Sequence, residues 1–174
     1  MQQWLKQGYV DFAMGGPQAL RVETLARKVG KSKSSFYHHF ATIDIFTDLL
    51  LDYHLMRAKV LSEKIKQCQV LGEEVIDILL SQTTDILFNR QLRFHRDVPK
   101  FFNCFNTLNE CFYDGMEKIW KEFIHLQDKP ETARSMYFLM HENFYLQLSP
   151  ENVTKEWFVN YFAEVQSTIL NIRE

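Results

Sequence analysis

Residues 30–40, Gly30-Lys31-Ser32-Lys33-Ser34-Ser35-Phe36-Tyr37-His38-His39-Phe40, combine hydroxyls, cations and imidazoles with two phenylalanines four positions apart. Read as a helix from Ser32, that spacing turns Phe36 and Phe40 inward together and exposes Lys33, Ser34, Tyr37 and His38. Free amides and hydroxyls at a helix start suit a phosphate oxygen, and Lys31 and Lys33 add charge-assisted contacts. Tyr37 can reach a phosphate or a thymine methyl, and His38 a base edge or the backbone, alternatives that the sequence leaves open. The candidate DNA contacts are Thr24, Lys31, Ser32, Lys33, Ser34, Ser35, Tyr37, His38, His39 and Thr42. Adjacent histidines on a helix diverge by about 100°. No third histidine or i+4 carboxylate joins His38 and His39, so neither a metal site nor a cofactor is expected.

This stretch needs a scaffold. Val22, Leu25, Ala26 and Val29 recur at i, i+3, i+4 and i+7, one apolar helix face ending at Gly30. Two short helices joined by a tight turn make a helix-turn-helix, whose second helix enters the DNA major groove. An earlier helix over 2–14, with the stripe Trp4, Leu5, Tyr9, Phe12 and Ala13, braces the pair, and Gly8 admits a close neighbour. Gly15-Gly16-Pro17 ends it. Ser32 is placed to accept from the amide of Ser34 or Ser35.

Leu25-Ala26, Gly30, Ser32-Lys33 and Phe36-Tyr37-His38-His39-Phe40 together resemble the signature of the TetR family of bacterial transcriptional repressors, over about the first fifty residues. The sequence departs from that pattern at Leu20 or Arg21, where a small hydroxyl residue is usual, and at Lys31, where an aliphatic residue is usual. It departs again at Ile43, where the family has a phosphate-contacting lysine. The resemblance implies an all-α fold with a three-helix DNA-binding head, a long connecting helix and a C-terminal helical domain for effector binding and dimerisation. It divides the chain into a helix-turn-helix domain over 1–45 and an effector and dimerisation domain over 46–174.

Composition agrees with an all-α chain. Only ten residues are Gly or Pro and no Asn-Gly or Asp-Gly hairpin signal occurs. Residues 1–40 carry six Lys/Arg against two acids, whereas 68–174 carry ten against sixteen, so positive charge is concentrated where DNA would be met. No leader and no apolar run of about eighteen residues is present, which predicts a soluble cytoplasmic protein with no membrane partner. Cys68, Cys104 and Cys111 lack metal-finger spacing, and seven residues of helix separate the last two by about 10.5 Å, too far for a disulfide.

Thr42 caps a helix over about 43–67 with apolar positions every three or four residues, a rod of nearly 40 Å. A further helical stripe runs from Val75 to about Phe94, and a third starts at Asp97-Val98-Pro99, with Gly115 standing before another stripe that ends at 127–130. Seventeen of the 25 aromatics fall in 68–174, which suggests a pocket for a flat or apolar small molecule as well as ordinary core packing. Its candidate lining is Phe88, His95, Phe101, Phe102, Phe105, Phe112, Trp120 and His141, with Asn103 and Asn106 as further polar anchors.

Two final helices are expected over 131–147 and 150–172. Met136, Leu139, Met140 and Asn143 on the first, and Trp157, Phe158, Tyr161, Phe162, Val165 and Ile169 on the second, give wide apolar faces. Packing within their own domain would satisfy such faces, whereas the resemblance implies that they pair with a second subunit in a four-helix bundle, an isologous contact. The expected function is therefore a homodimeric regulator, a repressor of a palindromic double-stranded operator released by a small molecule. The alternative is a DNA-binding protein whose C-terminal domain takes a protein partner or no ligand. No carboxylate pair, Glu-x-x-His set or nucleophile beside a base points to an enzyme.

Overall fold

The computed structural model describes residues 1–172, and every regular element among them is helical. α1 (Gln2–Gly15) leads through a 3-10 turn (Pro17–Ala19) to α2 (Val22–Val29), α3 (Lys33–Phe40) and α4 (Ile43–Lys66). α5 (Glu73–Leu80), α6 (Thr83–Phe94), α7 (Pro99–Phe123), α8 (Pro130–Gln147) and α9 (Lys155–Ile172) follow. None of these helices is long and apolar enough to cross a membrane.

Three elements differ from what periodicity predicts. The single stripe from Val75 to Phe94 is two helices, because Ser81 donates its hydroxyl to the Ile78 carbonyl at 2.7 Å and Thr83 donates to that of Leu80 at 2.8 Å. Such local side-chain bonds compete with the helical ladder. Conversely, α7 runs unbroken through Gly115. A Cβ there would lie 2.5 Å from Ser62 Oγ and 2.7 Å from the Ser62 carbonyl oxygen, so this glycine admits α4 rather than ending a helix. Finally, α9 starts at Lys155 rather than Pro150. Asn152 accepts from the Ser149 amide at 2.7 Å and donates to the Gln147 carbonyl at 2.9 Å, holding 149–154 as a turn, and Thr154 caps the amide of Trp157.

Packing divides the chain into two compact units, Met1–Arg57 with Thr84–Asn106, and Ala58–Thr83 with Thr107–Glu174. This is a different division from the expected division of roles at 45/46, and aromatic contacts explain it. Phe88 of α6 is fully buried, stacked on Phe12 at 4.2 Å and on Tyr9 at 4.5 Å, and Phe101 meets Phe12 edge-on at 5.5 Å. In the same unit, the close approach expected at Gly8 is real, since a Cβ there would lie 2.4 Å from the Phe46 ring.

A polar chain crosses that apolar unit. Arg57 of α4 grips both oxygens of the buried Asp85 carboxylate, at 2.5 and 2.6 Å. The Tyr9 hydroxyl bonds Asp85 at 2.8 Å and lies 2.5 Å from His54 Nδ1. Burial, and then the Asp85 charge, hold the Tyr9 hydroxyl far above its ordinary range, so it stays a neutral donor. The hydrogen bond to Asp85 keeps Arg57 charged in turn. One carboxylate thus joins α1, α4 and α6, and removing either member of such a pair typically costs about 3–5 kcal/mol.

The second unit has its own core: Ile65 and Val75 are fully buried with Trp120, Ile124, Ala133, Val165 and Ile169. The Trp120 indole donates to the Ala133 carbonyl at 2.7 Å, Gln166 to that of Phe123 at 2.6 Å, and Ser62 to that of Cys111 at 2.6 Å.

The first unit should be acid-sensitive through His54. Its imidazole, 1% exposed, is pushed down to about 4 by burial, against an ordinary 6.5 that the unfolded chain regains. The stability this group contributes is complete above about pH 6.5 and is lost as pH falls toward 4, because the unfolded state then binds the extra proton. Urea unfolding should show a loss on the order of 2–3 kcal/mol from this group between pH 7 and 4.5, and His54→Gln should flatten that part of the profile.

Candidate nucleic-acid interface

α2 is held by the buried side chains of Val22, Leu25 and Ala26, and its end is a Schellman turn. Gly30 adopts φ 66° and ψ 36°, its amide bonds the Arg27 carbonyl at 3.3 Å, and the Lys31 amide bonds that of Ala26 at 2.9 Å. This left-handed residue swings the chain directly into the cap of α3. Ser32 Oγ accepts from the Ser35 amide at 3.2 Å, which resolves the two partners that the sequence leaves open.

Beneath α3 lies an aromatic cluster. Phe36 is fully buried and Phe40 nearly so. Phe36 contacts Trp4 at 5.3 Å, Phe40 at 5.0 Å and Phe46 at 5.2 Å, while Phe40 meets Phe46 at 4.8 Å. These are edge and tilted contacts of the kind that aromatic rings favour. Anchoring two residues four apart forces the opposite face outward. Lys31, Ser32, Lys33, Ser34, Tyr37, His38, His39 and Thr42 are all exposed, Tyr37 to 52%, and Thr24 and Ser35 are half-buried at the edges. Thr42 caps α4 by accepting from the Ile45 amide at 3.1 Å.

Three features of this surface are not legible from motif spacing. Ala41 ends α3 at φ 58° and ψ −51°, a strained turn for a residue with a side chain. Lys28 is drawn to the buried Asp11 at 2.6 Å, which ties α2 to α1. Lys33 donates to Glu23 at 3.0 Å, and the Glu23 carboxyl lies below its ordinary range because of its own backbone amide and then Lys33.

The residues expected to line an effector pocket fall in both units. Phe88, His95, Phe101, Phe102 and Phe105 belong to the first, and Phe112, Trp120 and His141 to the second. Phe88, Phe101 and Phe105 are packed in the first unit's interior, Phe102 is 44% exposed, and the His95 ring reaches towards Gly16. Phe112 is half-buried and Trp120 is committed to Ala133. His141 stacks on Tyr137 at 5.4 Å and meets Tyr145 edge-on at 4.9 Å, and burial pushes its imidazole down to about 3.

Half of the expected dimer face lies inward within the chain. Phe158, Tyr161, Val165 and Ile169 are buried in their own unit, and the Tyr161 hydroxyl donates to the Met140 carbonyl at 2.6 Å. The apolar stripe of α9 is consumed by intrachain packing. Leu139 remains 60% exposed, together with Leu146 and Val159, which the spacing did not single out. Met136, Met140, Asn143, Trp157 and Phe162 are half-buried.

Substitutions should separate the two faces of α3. Phe36→Ala should lower stability by about 3–5 kcal/mol. Tyr37→Ala should unfold within about 0.5 kcal/mol of the parent chain. Urea midpoints measured side by side check both.

No family model and no curated protein matches the sequence. Among solved structures, the chain is similar to a protein from Rhodococcus sp. assigned to the TetR-family transcriptional regulators. The TM-score is 0.54 at 16% identity, over 97% of each chain. The protein therefore has the all-α fold seen in that TetR-family structure.

Proposed function

We propose that the protein is a DNA-binding transcriptional regulator, a cytoplasmic homodimer that represses from a palindromic operator and is released by a small apolar or aromatic effector. The observation that carries this reading is the exposed face of α3, where Lys33, Ser34, Tyr37 and His38 stand outward over the Phe36–Phe40 anchor. Lys31 and Lys33 serve phosphates, Ser32, Ser34, Ser35, Thr24 and Thr42 position the backbone, and Tyr37, His38 and His39 approach base edges or phosphates.

Charge supports the same reading. The unit containing α3 carries eleven Lys/Arg against seven acids, and the other carries nine against fifteen. A two-fold pair of heads about 34 Å apart, or a multiple of that, would read a palindrome that one eight-residue helix alone could not hold tightly. We assign the first 45 residues to DNA binding and 46–174 to effector binding and dimerisation. An effector need supply only about 1–3 kcal/mol of coupling to change DNA affinity roughly 5–150-fold.

A second reading has an observation in its favour. Phe88, Phe101, Phe105 and Trp120 are consumed by packing, which suits a C-terminal domain that takes a protein partner or no ligand. Thermal-shift screening against a metabolite library separates the two, since a ligand of the folded state raises its apparent stability.

Two outcomes test the main reading. Duplex DNA should bind with log affinity falling linearly in log salt, and Lys31→Gln should flatten that slope by about 0.9. Binding that ignores salt contradicts it. Leu139 and Leu146 lie seven apart on one exposed helix face. Leu139→Asp with Leu146→Asp should therefore convert a dimer into a monomer by light scattering, with the circular dichroism of the parent chain retained.

A further inference from the structure

Glu23 is the only acid among residues 20–42, a stretch with five Lys/Arg. It stands in the first turn of α2, whose N-cap residue, Arg21, makes no side-chain cap bond. Its exposed carboxylate accepts from Lys33 Nζ at 3.0 Å. Lys33 is the first residue of α3 and belongs to the exposed face described above. One negative oxygen therefore sits beside a helix start and against a lysine, the two partners that a DNA phosphate would otherwise take.

We infer that Glu23 is a built-in phosphate surrogate, which masks Lys33 in the free protein and must be displaced by a DNA phosphate for full binding. The Glu23 carboxyl is held in its charged form by its own backbone amide and by Lys33, so the mask is anionic at neutral pH. Both side chains are well exposed, 56% for Lys33 and 69% for Glu23, and an ion pair in water is weak and readily exchanged. The mask therefore costs little where many phosphate contacts form together. It weighs more on loose, sequence-independent encounters, which depend almost wholly on charge. Glu23 thereby discriminates against non-specific DNA without touching a base.

The inference rests on the proposed DNA-binding role of α3, and the experiment keeps the two apart. Parent chain, Glu23→Gln, Lys33→Gln and the double variant are titrated with a random-sequence duplex across a salt series. Glu23→Gln should bind about threefold more tightly at low salt, and its salt slope should be steeper by about 0.9, the contribution of one further neutralised phosphate. In the Lys33→Gln background that change of slope should vanish. A Glu23→Gln slope equal to the parent's, weaker binding, or a slope change that persists without Lys33 overturns the surrogate role. Absence of salt-sensitive binding by the parent chain overturns the DNA-binding reading itself, and the surrogate role with it. Parallel melting curves, with Glu23→Ala as a second variant, exclude misfolding as the source of any loss.

Discussion

An eight-residue helix cannot stand in water by itself, because nucleating the first turn costs more than so few bonds return. α3 exists through tertiary packing, and the packing is aromatic: Phe36 and Phe40 sink among Trp4 and Phe46. This one constraint fixes the rest of the surface. With two residues four apart pinned inward, the rotation of the helix is set, and Lys33, Ser34, Tyr37 and His38 have only the outer face available. The Gly30 turn and the Ser32 cap then decide where the helix starts and which way it points.

The anchor is itself braced. α1 supplies Trp4 to the cluster under α3, and the same helix carries Tyr9 and Phe12, which pack on Phe88 of α6. The Arg57–Asp85–Tyr9–His54 chain adds direction to that contact, since a buried carboxylate accepts only the arrangement that keeps it paired. Apolar contacts alone would tolerate sliding of α6 along α1. Paired charges do not, so the base beneath α3 is a specified joint.

The features legible in the sequence were those with short-range causes. The Phe36–Phe40 spacing, the Ser32 and Thr42 caps, the left-handed Gly30 and the close approach at Gly8 all depend on residues a few positions apart or on a missing side chain. Long-range pairing was not legible. Asp85 and His54 look like polar interruptions of helical stripes until Arg57 and Tyr9 are brought to them, and Phe88 belongs to the unit of α1 despite lying 76 residues beyond Phe12. The partner of the α9 stripe is not legible either, because periodicity tells that a face is buried without telling against what. Glu23 is not legible for the opposite reason: it is an ordinary first-turn acid until its distance to Lys33 is known.

Amide hydrogen exchange of the whole chain, with and without excess duplex DNA at low salt, tests the central claim most directly. An outward α3 that reads DNA predicts slowed exchange at Ser32–His39 and at the preceding turn, reversed by added salt. Unchanged exchange across those amides, while DNA is bound and other segments gain protection, would contradict it.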